Sequence, residues 1–101
     1  MPTARFNGEI IAEADEVITI EGVAYFPPET VRLDCLEETA TRTGCPWRGI
    51  ATYYTVRVGD REERDAAWRF LEPKRKARRI AGWVAFWKGV EVEGVSAGLV
   101  E

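Results

Sequence analysis

From Ile50 to Val58 apolar and polar side chains alternate, and a second such run from Arg61 to Trp68 follows directly after Gly59-Asp60. Successive residues of an extended chain point to opposite faces, and a glycine-containing dipeptide between two extended runs closes them into a hairpin. Ile50, Thr52, Tyr54, Val56 and Val58 share one face, and Ala51, Tyr53, Thr55 and Arg57 share the other. The first set is the more apolar and is expected to face the core.

The remaining sequence reads as further short strands. Residues 9–14 and 17–21 are rich in β-branched side chains and suggest a first hairpin around Asp15-Glu16. Residues 23–26 form another strand, stopped by Pro27-Pro28 because proline cannot donate to a ladder. Residues 28–31 suit one helical turn, and residues 31–36 alternate enough to predict a strand. Residues 83–87 and 90–93 predict a last hairpin turned by Lys88-Gly89. In its first strand Trp83, Ala85 and Trp87 share one face and Val84 and Phe86 the other, so both faces are expected to be buried. Between the two clear hairpins, Pro73 opens and Gly82 closes a run of good helix formers, which predicts a short helix over 72–82. The fold class that follows is mainly β, with small twisted antiparallel sheets and one or two short helical turns. Residues 94–101 are weakly patterned and are expected to form a loose tail.

With 101 residues, 46% hydrophobic and 31% charged, the chain suits one soluble domain over 1–101. No apolar run approaches the roughly 20 residues that span a bilayer, and the first residues lack a secretory pattern, so a cytoplasmic location is expected. Cys35 and Cys45 are the two cysteines, and in that compartment both read as free thiols. Histidine is absent. Within one chain this removes Ser-His-Asp triads, Cys-His pairs and histidine-bearing zinc sites. The net charge of −3 gives no global drive toward nucleic acid or anionic membrane, and neither is expected as a partner.

Residues 43–54 hold the densest chemistry: a thiol, a cation and three large aromatics beside two glycines and a proline. Cys45 precedes Arg48 by three positions, and a nearby guanidinium favours a thiolate, whereas cysteine also packs readily as a small hydrophobe. Arg48 between Trp47 and Gly49 suits an anion, since a guanidinium presents two parallel donors; the alternative is a structural ion pair, with Asp65 as the obvious partner. Trp47, Tyr53, Tyr54, Trp68, Trp83 and Trp87 suit either an aromatic-walled cleft or a core, with Trp47 and Tyr53 expected to be partly exposed. Cys35 reads as core. Lys74, Arg75, Lys76, Arg78 and Arg79 put five cations in six positions, read as a solvated face neutralised by Glu62, Glu63 and Glu72. No cysteine pair, calcium-loop spacing or phosphate-binding glycine motif occurs, so no metal and no cofactor are expected.

Taken together, Tyr25 to Val31, Thr43 to Gly49, Asp65 to Trp68 and Gly82 to Val92 resemble the blocks of the bacterial domain-of-unknown-function family 427. The resemblance runs from about Tyr25 to Val92. Arg48 stands where lysine is more usual in that family, and Leu71 where a proline often follows. The resemblance implies a twisted β architecture similar to the Mss4-like or β-tent group. It implies no activity, and zinc, which many proteins of that group hold through paired cysteines, is not carried over because those pairs are missing.

The function expected from these residues is binding of a small anionic ligand in a cleft near Cys45, Trp47, Arg48, Tyr53, Asp65 and Trp68. Two alternatives stay open: an enzyme using Cys45 as nucleophile with Tyr53 or Asp65 moving protons, and a protein-interaction module whose motif is structural.

Overall fold

A computed structural model describes residues 1–95. Among them nine strands form three antiparallel sheets. Strands β1 (Thr3–Phe6), β2 (Glu9–Glu13) and β9 (Glu91–Glu93) make one sheet in the order β2-β1-β9, and β3 (Ile18–Ile20) with β4 (Val23–Tyr25) makes a two-stranded ribbon. The largest sheet runs β5-β6-β7-β8, from Leu36–Cys45, Gly49–Val58, Arg61–Arg69 and Val84–Phe86. The chain is mainly β, as its sequence predicts, with three short 3₁₀ segments at Pro28–Thr30, Leu33–Cys35 and Arg75–Ile80. No helix of the described residues is long and apolar enough to cross a membrane.

Turn chemistry decides which strands pair. Asn7 and Gly8 have φ of 51° and 79°, and Glu21 and Gly22 have 52° and 81°. Two successive positive-φ residues make the tight turn whose twist matches that of the flanking strands. Thus β2 folds back on β1 and β3 on β4, and the hairpin expected around Asp15-Glu16 does not form. The β6–β7 hairpin closes across Gly59-Asp60 as expected, with Val58 opposite Arg61.

Three other expectations are corrected. Residues 33–35 form a 3₁₀ turn, and the strand begins only at Leu36 and continues to Cys45. Its polar sequence concealed it, because β5 is an edge strand whose residues are mostly exposed or half-buried. The last hairpin is also absent: β8 pairs with β7, while β9 crosses to β1. The basic segment forms a 3₁₀ helix kinked at Ala77, not an α-helix. Ala77 and Ile80 are its buried residues, and with three residues per turn their spacing of three puts both on one face.

The large sheet is covered on both faces. Tyr54, Val56, Val58, Ala67, Val84 and Phe86 enter one core with Phe6, Ile11 and Phe26. Ala51, Phe70 and Ala85 enter a second with Tyr25, Ala77 and Ile80, against which Tyr53, Trp68 and Trp83 pack. The more apolar face of β6 does face the main core, except at Ile50, which is 59% exposed at the hairpin end beyond it. Strand β8 is buried on both faces, as its pattern indicated. Gly94 and Val95 of the expected tail lie against Met1 and the main core, and residues 96–101 lie outside the described residues.

Two substitutions separate turn strain from packing. Gly8 has open space where a Cβ would stand, so Gly8→Ala should cost about 1 kcal/mol from backbone strain alone. Phe26 is fully buried 5.7 Å from the Phe86 ring, so Phe26→Ala should cost about 3–5 kcal/mol; urea denaturation of the two variants checks both values.

Candidate functional site

Strands β5 and β6 are joined by Pro46, Trp47 and Arg48, with Cys45 opposite Gly49. The chemically dense stretch from Thr43 to Tyr54 therefore contains a hairpin tip. Gly49 closes it at φ 112°, where a Cβ would stand 3.4 Å from the Lys74 backbone nitrogen and 3.5 Å from the Glu72 carbonyl oxygen. Glycine there allows both the positive φ and the close approach of a second backbone. The Lys74 N–H donates to the Arg48 carbonyl at 2.9 Å, and the Lys74 ammonium donates to the Pro46 carbonyl at 2.8 Å. The tip is thereby fastened to residues 72–74.

The 3₁₀ segment that follows carries Lys76 and Arg79 to the same place. With Trp47 and Arg48 from the tip and Glu21 from the β3–β4 turn, they line a recess of about 360 Å³. Ile20 and Ala77 contribute to walls that are largely apolar. Three cations face one carboxylate there.

Arg48 is the most enclosed of these charges, with its side chain 17% exposed. Its guanidinium donates to the Glu21 carboxylate and lies 5.7 Å from the centre of the Trp47 ring. Burial alone would lower its pKa, but Glu21 and the nearby Tyr25 and Cys45 raise it above the ordinary value, so the charge is secure. Trp47 itself is 53% exposed. The structural pair expected between Arg48 and Asp65 is not made; Glu21 takes that place.

The other expected site residues are placed elsewhere. Cys45 is half-buried against the second core, within electrostatic reach of Arg48 and Tyr25. Tyr25 is buried, its hydroxyl accepts from the Trp68 indole N–H at 3.4 Å, and burial raises its pKa. Trp68 lies 6.0 Å from Tyr53 and 5.7 Å from Trp87, in a row of rings. It lines a second recess of about 310 Å³ with Trp87, Phe86 and Val23. The Tyr53 hydroxyl is 3.1 Å from that of Thr43, and Tyr53 is half-buried. Of the two rings expected to be partly exposed, both are.

Asp65 is fixed by the sheet. It stands at φ 55° where the β6–β7 register shifts, and its carboxylate accepts the Thr39 and Thr41 hydroxyls at 2.7 Å each. Its carbonyl accepts the Trp87 indole N–H. The Thr39 bond, partly opposed by burial and reinforced by Thr41, Arg64 and Lys88, lowers its pKa below 3.8. The six expected ligand residues therefore do not share one cleft: Trp47 and Arg48 line the first recess, Cys45, Tyr53 and Trp68 pack against the second core, and Asp65 is held by Thr39 and Thr41.

Sequence reasoning missed Glu21, Lys76 and Arg79. The signal for the last two was the basic run itself, read as a solvated face partly neutralised by Glu62, which instead pairs with Arg57. Among the described residues no three cysteine, aspartate or glutamate side chains gather as a metal site. Cys35 directly precedes the ten-residue β5 and Cys45 is its last residue, a separation on the order of 30 Å at ~3.3 Å per residue, so they neither bridge nor share an ion.

A family model described as a domain of unknown function, DUF427, matches residues 3–98. The chain belongs to the DUF427 family. The match extends beyond the span from Tyr25 to Val92 over which the sequence blocks resemble that family, taking in β1, β2, β3 and the whole of β4 and β9. The 3₁₀ segment with Lys76 and Arg79 also lies inside the DUF427 match, as does the hairpin tip. No curated protein matches the chain.

Asp65 offers a test of the link between β5 and β7. Asparagine tolerates positive φ, so Asp65→Asn removes the charge with little change in backbone cost. Weakening two charge-assisted hydrogen bonds should destabilise the domain by about 1 kcal/mol at pH 7. A depressed carboxyl pKa contributes stability above its ordinary value and loses it as pH falls through the folded-state value. The difference between wild type and Asp65→Asn in denaturant melts should therefore be full at pH 7 and shrink below about pH 4.

Proposed function

We propose that this domain binds a small anionic ligand in the recess between the Pro46–Arg48 tip and the Arg75–Ile80 segment. The observation that carries the reading is the convergence of Arg48, Lys76 and Arg79 beside an exposed Trp47 ring in one recess of about 360 Å³. Ligand sites are typically concave and mostly apolar, with a few placed polar groups, and begin at about 300 Å³. A fork of guanidinium donors and an ammonium point charge suit carboxylate or phosphate oxygens. Glu21 holds Arg48 in place, so three cations and one carboxylate line the recess in a chain of net charge −3.

Trp47, Arg48, Lys76 and Arg79 are the residues assigned to binding, with Cys45 as packing behind Arg48. Its half-buried position against the second core favours support over nucleophilic attack.

Thermal shift against phosphate, pyrophosphate, citrate and aromatic carboxylates tests the reading. A ligand at 100-fold its dissociation constant should add about 2.7 kcal/mol of stability. Excluded salts such as phosphate also stabilise proteins without a site, so the comparison with a Lys76→Ala/Arg79→Ala variant decides. Both side chains are exposed, and the variant should fold and lose most of the anion-dependent shift. Equal shifts in the two proteins would contradict the proposal.

A further inference from the structure

Glu21 stands where its turn would favour another residue. The turns at Asn7-Gly8 and Glu21-Gly22 have nearly the same backbone, with φ of 51° and 79° in one and 52° and 81° in the other. Asparagine tolerates the first of those positions, and glutamate does not favour it. What offsets the strain lies across the fold: the Glu21 carboxylate accepts from the Arg48 guanidinium, 27 positions away. Backbone strain that persists beside one particular side-chain contact points to a role for that contact.

The two partners are unevenly held. The Arg48 side chain is 17% exposed and that of Glu21 58%. The guanidinium is therefore fixed in the wall of the recess beside the Trp47 ring, while the carboxylate is largely open to solvent. It engages the same donors that a ligand carboxylate or phosphate would use. Glu21 is carried by β3 and β4, three residues each, which pair only with one another. A two-stranded ribbon is marginal by itself, and Ile20 and Val23 beside the turn are only half-buried. The turn can yield without disturbing the four-stranded sheet behind Arg48.

We infer that Glu21 is a built-in competitor for the recess: its carboxylate occupies Arg48 in the empty protein, and an oxyanion ligand displaces it and frees the β3–β4 turn. This rests on the anion-binding reading above and adds the regulation of that site. Displacing the resident carboxylate weakens ligand binding by the strength of the ion pair, and for exposed pairs that is about 1.4- to 5-fold in an equilibrium constant. Removing the carboxylate should therefore tighten anion binding by about that factor. The opposite sign follows if Glu21 serves only to hold Arg48 ready, because a loosened guanidinium must be ordered again by each ligand.

Isothermal titration of the full chain with pyrophosphate and with citrate tests the inference on wild type, Glu21→Gln and Glu21→Asn. Glutamine keeps the length of the side chain without its charge. Asparagine suits the backbone of the turn, so the second variant serves even if the first fails to fold. Both should bind the two anions about 1.4- to 5-fold tighter than wild type. Hydrogen exchange at the amides of Ile20 and Val23, the pair that closes the turn, gives a second readout. It should quicken in wild type when pyrophosphate is added, and in the variants it should already be quick and respond little. Weaker or equal binding by the folded variants overturns the competitor role and leaves the anion recess standing. Tighter binding with exchange at the wild-type turn unmoved by pyrophosphate overturns displacement, because charge repulsion alone would then account for the affinities. Anion binding by the variants with none by wild type supports the inference in its strongest form. If neither anion binds any of the three proteins, the anion reading fails and the competitor role with it.

Discussion

Lys74 joins the two halves of the site. Its backbone N–H and its ammonium donate to carbonyls on either side of Trp47, and Gly49 lets the two backbones meet closely enough for those bonds to form. Buried or half-buried backbone groups need such partners, so the tip and the segment after Pro73 satisfy one another while fixing their geometry. Without this contact Trp47 would sit on a free hairpin end and Lys76 and Arg79 on a separate basic turn. With it, like charges from distant parts of the chain face one recess, at a Coulombic cost that Glu21 partly offsets.

Behind the site, the four-stranded sheet supplies rigidity because both its faces are covered. The main core lies against the sheet of β1, β2 and β9, and the second, built around Tyr25, lies under the recess. Ala77 belongs to that second core and also lines the recess, so the 3₁₀ segment is anchored from below by a buried residue and from the side by Lys74. The aromatic row of Tyr53, Trp68 and Trp87 stiffens the same sheet at its other part. Asp65, held by two threonines from the edge strand, links β5 to β7 across β6, the strand between them.

The mainly β class was legible because Ile50–Val58 alternates so plainly, and the burial of β8 on both faces followed from its all-apolar run. Pairing was less legible: Asp15-Glu16 looked like a turn, but Asn7-Gly8 and Glu21-Gly22 adopt the positive φ that hairpins need. Strand β5 escaped notice because an edge strand exposed over much of its length carries Glu37, Glu38 and Arg42 where an inner strand carries apolar residues. In the site, Trp47 and Arg48 stood out from local composition, whereas their union with Lys76 and Arg79 depends on a contact between segments distant in sequence. The same holds for Arg48 and Glu21, which are 27 positions apart and meet only because the β3–β4 turn reaches the tip.

The most direct test of the anion recess is residue-resolved. In a ¹⁵N–¹H NMR titration with inorganic phosphate and pyrophosphate, the account predicts saturable shifts at the Trp47 indole and at the backbone of Arg48, Lys76 and Arg79, with the Trp68 and Trp87 indoles unmoved. Shifts centred on Trp68 and Trp87, or changes along the basic segment that grow linearly with salt and leave Trp47 still, would contradict it.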